Sequence, residues 1–246
     1  MKSYLSLVPI SAKVRKRQNR MTILCVIISI FLVTAIFSVA DMMIRTQSDR
    51  MTGKNGSWHI ELDGISQETA LKIAERDDVV SIGAVTIFNP DGELPYRMDG
   101  KRVVLYGIDE SYLTMNSTGA AEGRFPQGMG EIMLSSNAAR VLQVAVGDTV
   151  TLRTPSGDWD FTVSGLGGVE ESYYSGQYSL MDAYLPRTAF AALMEQNNVH
   201  NLQTSYYVQF TSASKAAKAI PELTAQHNLP ENAVSENTGV MAIAGQ

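Results

Sequence analysis

Residues 21–40 read MTILCVIISIFLVTAIFSVA, twenty consecutive positions without a charge. At about 1.5 Å of rise per residue such a stretch makes a helix roughly 30 Å long, the thickness of a bilayer's hydrocarbon core. The flank before it, KVRKRQNR, carries Lys13, Arg15, Lys16, Arg17 and Arg20, and no acidic residue precedes Asp41. Basic residues beside a span are retained on the cytoplasmic side, so these five set the topology. Residues 1–20 are expected inside, a helix over 21–44 in the membrane, and everything after it outside.

A cleaved signal peptide is the alternative, since Ser38-Val39-Ala40 offers small residues ahead of Asp41. Secretory apolar regions run only about 7–15 residues, however. Here the apolar character also resumes with Met42, Met43 and Ile44. A retained helix fits better. Cys25, the only cysteine, lies inside the span and reads as a small apolar side chain. The segment before the basic run is either a short interfacial helix on the inner leaflet or a disordered basic tail.

Charge divides sharply along the chain. Six of the twenty Lys and Arg residues precede the span, leaving fourteen against twenty-five acids beyond it, a net of −11. The basic foot suits anionic membrane lipids. The acidic outer part has no electrostatic reason to bind nucleic acid. Without disulfides, its roughly 200 residues must be held by an apolar core, which that length allows.

Beyond the span, RTQSDRMTGKNGS extends the helix briefly until Gly53 and Asn55-Gly56 break it. Residues 58–62 (WHIEL) alternate as a strand. Ser66 then caps a helix to about Arg76, with Ile65 and Ala70 as a staple and Leu71 and Ala74 on the inward face. Strands follow over 79–88 and 101–108, with a short helix over 110–116. The middle of the chain has strands at 149–153 and 159–166 joined by a Pro155 to Asp158 hairpin, and Ser135 or Ser136 capping a helix through Leu142. Residues 165–178 read as a mobile Gly/Tyr loop. A strand over 180–185 leads to a helix whose first turn opens at Pro186.

Residues 205–210 (SYYVQF) then repeat the alternation of 57–62 (SWHIEL), 148 positions later. Ser212 or Ser214 caps an Ala-rich helix toward His227, where Pro221 requires either a kink or a late start. A strand-like segment begins at Ala233. Two strand–helix–strand units, 57–116 and 201–246, thus flank a β-rich insert, 117–200, and suggest an internal duplication. The expected fold class is α+β behind one transmembrane helix.

Motifs for chemistry are absent. His59, His200 and His227 have no partner at metal-ligand spacing, and no G-x-S-x-G elbow or G-x-x-x-x-G-K-S/T phosphate loop occurs. No cofactor, metal or catalytic site is expected, and any ATP chemistry belongs to a partner. Within EESYYSGQY (residues 170–178), Tyr173, Tyr174 and Tyr178 either contact a partner or pack back on their own sheet.

Residues 122–152, EGRFPQGMGEIMLSSNAARVLQVAVGDTVTL, carry Gly123-Arg124-Phe125, then Glu131 before a short apolar strand, a small-residue helix, and Gly147-Asp148 before another strand. Phe161-x-Val163-x-Gly165 follows. This combination resembles the extracytoplasmic core domain of MacB/FtsX-like ABC-transporter permeases. Physically these positions suit structural jobs: glycines for turns, Asp148 as a brace, Arg124 as a bidentate grip.

The resemblance implies two porter-like units with a β-rich insert, placed between the first and second of four membrane helices. It implies pairing with a second permease copy and with a cytoplasmic ABC ATPase that drives motion of the outer domain. Because residues 241–246 lead toward no second span, the chain reads as one piece of such a permease in the cell membrane, not itself an enzyme. The rival reading is a single-span anchored binding or sensor domain without transport.

Overall fold

In the computed structural model the described residues are 16–89, 91–116, 119–167, 181–230 and 232–242. The chain forms two compact units, Met1–Arg50 and Met51–Gln246. Helix α1 runs unbroken from Lys16 to Asn55 and passes from the first into the second. Its Lys16–Met43 portion is long and apolar enough to cross a bilayer. Phe31 and Phe37 are exposed, at 69% and 71%. The hydroxyls of Thr22, Ser29 and Thr34 each donate to the carbonyl four residues earlier, so these three polar side chains are satisfied within the helix.

The helix does not break at Gly53. It ends at Asn55, where Gly56 takes φ +81°. A Cβ at Gly56 would lie 2.6 Å from the carbonyl oxygen of Met115, and the next amide, of Ser57, donates to that same oxygen at 2.5 Å. Only glycine permits this close approach.

Among the described residues eleven strands join one mixed sheet. They are β1 (Ile60–Leu62), β2 (Val79–Phe88), β3 (Arg97–Met98), β4 (Lys101–Ile108), β5 (Ala120–Gly123), β6 (Glu131–Ser135), β7 (Thr149–Thr154), β8 (Gly157–Gly167), β9 (Met181–Pro186), β10 (Thr204–Phe210) and β11 (Val234–Glu236). The helices are α2 (Gln67–Ala74), α3 (Glu110–Met115), α4 (Ser136–Leu142), α5 (Arg187–Gln196), α6 (Ala213–His227) and α7 (Thr238–Met241).

At one end the order is β11-β1-β10-β2, all antiparallel. Each of β1-α2-β2 and β10-α6-β11 is therefore a split β-α-β unit, with a strand of the other between its own two. The 148-residue offset of the repeat equates Ile60 with Val208, and these two residues face each other in the ladder. The strands of the two units thus interleave, with Ile60 and Val208 directly opposite. Ala70 and Ile73 of α2 and Ala216, Ala219 and Leu223 of α6 bury one face of the unit together with Leu62, Tyr206 and Phe210.

At the other end, β4 pairs with β2 and also in parallel with β9. The path β4-β3-β7-β8-β6-β9 consequently returns to β4 and closes a ring of six strands, which leaves no open edge between them. Val103, Leu105, Ile132, Leu134, Leu152, Phe161 and Leu185 fill this core, and α5 packs on it through Phe190, Leu193 and Met194. β4 therefore serves both ends. Thr86 pairs with Thr204, so the whole segment between β2 and β10 sits at the tip of what would otherwise be a hairpin.

Several local expectations shift. Leu71 is 57% exposed, and the inward positions of α2 are Ala70 and Ile73, which lie three apart on one side. Ser135 and Ser212 are the caps of α4 and α6. The latter helix starts at Ala213 and runs through Pro221, which excludes a late start. Pro186 ends β9 and occupies the cap position of α5, one residue before the first turn. Gly165 lies within β8, which continues to Gly167.

Candidate functional site

The motif residues gather around one strand. Gly123 and Arg124 lie against β8 at Ser164 and Gly165: the Arg124 amide donates to the Ser164 carbonyl at 2.9 Å, and the Ser164 hydroxyl donates back to the Arg124 carbonyl at 3.2 Å. On the other side the Gly147 amide donates to the Val163 carbonyl and the Val163 amide to the Asp148 carbonyl, both at 2.8 Å. Asp148 also braces its own turn by accepting from the Ala145 amide at 2.8 Å. Phe161 and Val163 point into the ring's core. Phe125 packs on the opposite face, beside Met133 and Tyr184.

Arg124 grips Glu131 through two nitrogens at 2.8 and 2.5 Å. Glu131 accepts in addition from the amides of Gln127 and Gly128, which closes the 124–131 loop. Arg124 first, and then these amides, hold the Glu131 carboxyl down at about 2. The side-chain hydrogen bonds of this pair all stay within the loop, so the cluster is a brace around β8. Lys16, Arg17 and Arg20 are exposed in the first turns of α1. Lys13, Arg15, Tyr173, Tyr174 and Tyr178 lie outside the described residues.

A cleft that the sequence does not announce lies where the two ends of the sheet meet. It has a volume of about 440 Å³ and runs along α5 beside β2 and β10. Its wall is apolar, from Phe190, Ala191, Met194, Val199 and Leu202. Phe190 lies directly over Gly107, where any Cβ would fall 2.4 Å from the ring. The floor carries the hydroxyls of Thr86 and Thr204, 2.7 Å apart. Arg187 lines the N-terminal end of the α5 side, its guanidinium carbon 6.0 Å from the centre of the buried Tyr206 ring. Glu195 and His200 line the cleft as well. Arg187 makes no hydrogen bond or ion pair among the described residues. Asp109, an acid that feels the Arg187 charge, spends both oxygens on the amides of Ala84 and Tyr112, each at 2.9 Å.

The sheet's other face carries acids among aromatic rings. The Tyr207 hydroxyl donates to Glu61 at 2.7 Å, and its ring meets Trp58 and Tyr112 edge-on at 4.9 and 5.0 Å. Burial pushes Glu61 and Asp182 up, and pushes Tyr112 up to about 12. One carboxylate oxygen of Asp182 is buried without a hydrogen bond. His59, read from sequence as a strand histidine, is buried, and its Nδ1 accepts from the Phe210 amide at 3.1 Å. Burial lowers its pKa, which keeps that nitrogen free to accept.

Arg187, Thr86, Thr204 and Asp182 escape sequence reading for a common reason. They come from strands and helices far apart in the chain, and none has a spacing that marks it. Only the step from a strand into a helix at Pro186 was legible near them, and it said nothing of Arg187.

Comparison with known proteins agrees with this architecture. The family model of the MacB-like periplasmic core domain matches residues 21–226. The periplasmic region of MacB from Actinobacillus actinomycetemcomitans superposes with a TM-score of 0.55 at 15% identity, over 80% of this chain and 96% of that one. The extracellular domain of the noncanonic ABC-type transporter YknZ from Gram-positive bacteria is similar at a TM-score of 0.49 and 15% identity, over 73% and 98% of the two chains. A domain of a permease protein from Porphyromonas gingivalis gives 0.48 and 16%, over 74% and 88%. No individually curated protein matches the sequence. With the match extending from the apolar helix through α6, the chain belongs to the MacB-like periplasmic core domain family of ABC-transporter permeases.

Proposed function

We propose that this chain is the first-span and extracytoplasmic part of a permease subunit, and that it converts ATP hydrolysis by a cytoplasmic partner into movement of its outer domain. The reading rests on one observation, the family match over residues 21–226. The continuity of α1 from Lys16 to Asn55 is its physical support, because an unbroken helix transmits displacement whereas a flexible linker absorbs it. The N-terminus is cytoplasmic in this reading, and the β11-β1-β10-β2 end with α2 and α6 acts as a porter-like unit. A second permease copy completes the assembly, and lipids surround α1. The chain contributes no catalysis of its own.

The experiment is isolation of the chain from its native membranes in mild detergent. A co-isolated polypeptide with a G-x-x-x-x-G-K-S/T motif, whose ATP hydrolysis rises several-fold in the complex, is the expected result. An intact chain recovered without any ATPase would overturn the coupling reading and favour an anchored binding domain.

A further inference from the structure

We propose that the cleft along α5 binds a small organic carboxylate with an apolar body, the carboxylate seated on Arg187. The inference concerns the cleft's own chemistry and stands independently of whether an ATPase drives the chain.

A guanidinium presents five N–H donors in a planar fork that matches a carboxylate. In a folded domain such a fork is ordinarily engaged, as Arg124 is with Glu131 and Arg76 with Asp78 and Glu222. Arg187 is partly buried and holds none of its donors in a bond among the described residues. The Tyr206 ring, its centre 6.0 Å from the guanidinium carbon, offers a cation–π attraction that takes none of the N–H donors. Asp109 offsets part of the charge without taking a donor, since both its oxygens are committed to backbone amides. The arrangement is a partly buried cation, with donors unused among the described residues, at the end of a concave surface.

The body of the ligand follows from the wall. Arg187, Phe190, Ala191, Met194 and Glu195 are spaced as one stripe of α5, and eight residues of helix separate the two charged ends by about 12 Å. Between them the surface is apolar, floored by the Thr86 and Thr204 hydroxyls, which already bond to each other. A molecule with one anionic head and a short apolar body fits that pattern. Glu195 at the far end repels a second anionic group, so a dianion is disfavoured. Two sources share this chemistry, a short acyl carboxylate and the C-terminus of an apolar peptide.

The test uses the full chain in lipid nanodiscs, with octanoate and N-acetyl-Phe-Leu as probes and octanamide and N-acetyl-Phe-Leu-amide as their neutral counterparts. Binding is followed by isothermal titration and by the methyl resonance of Met194. At least one carboxylate should bind and shift that resonance, its amide should bind at least tenfold more weakly, and Arg187→Gln should produce a similar loss. Ala191→Trp, which fills the exposed mouth and keeps the charge, should abolish binding while leaving the circular dichroism melt within a few degrees. Octanoate binding alone identifies an acyl source, and peptide binding alone a chain terminus. If neither carboxylate binds the folded protein, or if the amides bind equally well, the proposal is wrong.

Discussion

A methyl group added at Gly165 would sit 2.4 Å from the carbonyl oxygen of Arg124, backbone against backbone, with nothing flexible to yield. Gly147 has open space around its missing Cβ but a φ of +97°. The two glycines belong to one motif and are required for different reasons. Gly165→Ala should cost about 1–3 kcal/mol by forcing β8 away from the 123–125 turn. Gly147→Ala should cost about 1–2 kcal/mol through backbone conformation alone. The distinction is measurable. Asparagine, which tolerates positive φ better than alanine, should recover part of the loss at position 147 and deepen it at 165. Thermal melts resolve this, since about 1 kcal/mol moves the midpoint of a domain this size by roughly 2–4 °C. Equal melting points for alanine and asparagine at both positions would contradict the assignment. That these residues were glycines with a structural job was legible in the sequence. Which constraint each one meets was not, because that of Gly165 is set by the Arg124 backbone about forty residues away and that of Gly147 by its own φ.

Among the elements, α3 is the shortest to hold an important place. Its C-terminal carbonyl at Met115 receives the chain as it leaves α1, and Asp109 caps its start. Asp109 accepts from the Tyr112 amide as an ordinary cap and from the Ala84 amide of β2 with its second oxygen. Burial raises its pKa, and the two amides oppose that rise. Asp109→Asn keeps one acceptor but turns an amide NH₂ toward a backbone N–H. It should therefore cost about 1–3 kcal/mol, the penalty of a buried unsatisfied donor. Ser66→Ala, which removes only an exposed cap of α2, should cost about 1 kcal/mol. Urea titration of the two variants checks the order, and a larger loss at Ser66 would sink it. Element boundaries were readable at this scale because caps, turns and alternation are local signals. The inward face of α2 was misread at Leu71 because one and a half turns of apolar residues do not say which side the sheet lies on. Pro221 left a kink and a late start both open, and the cap at Ser212, nine residues upstream, decides against the late start.

For the whole molecule, the repeat was visible as two alternating strands 148 residues apart, while their interleaving was not. A period in sequence does not reveal whether two copies stand side by side or share a sheet, and here the Ile60–Val208 pairing decides for one sheet. Closure of the ring through β4 and β9 was equally hidden, since parallel pairing of distant strands leaves no local trace. Topology across the membrane is the opposite case and is carried by sequence alone. The apolar helix is symmetrical to the bilayer, so the sign of its flanks must choose the orientation. Lys13, Arg15, Lys16, Arg17 and Arg20 stand on one side, and Asp41 is the first acid on the other. Arg15→Glu, Lys16→Glu and Arg17→Glu together turn the flank from five basic residues into two basic and three acidic. The expected consequence is loss or inversion of insertion. Ser156→Cys, at an exposed turn between β7 and β8, provides the reporter, because the native Cys25 is within the span. In intact cells a membrane-impermeant maleimide should label that cysteine on the otherwise unaltered chain. In the charge-reversed chain labelling should fall several-fold and recover when the membrane is permeabilised. Undiminished labelling of the charge-reversed chain would mean that something other than the basic flank sets the orientation, and the cytoplasmic assignment of the N-terminus would lose its support.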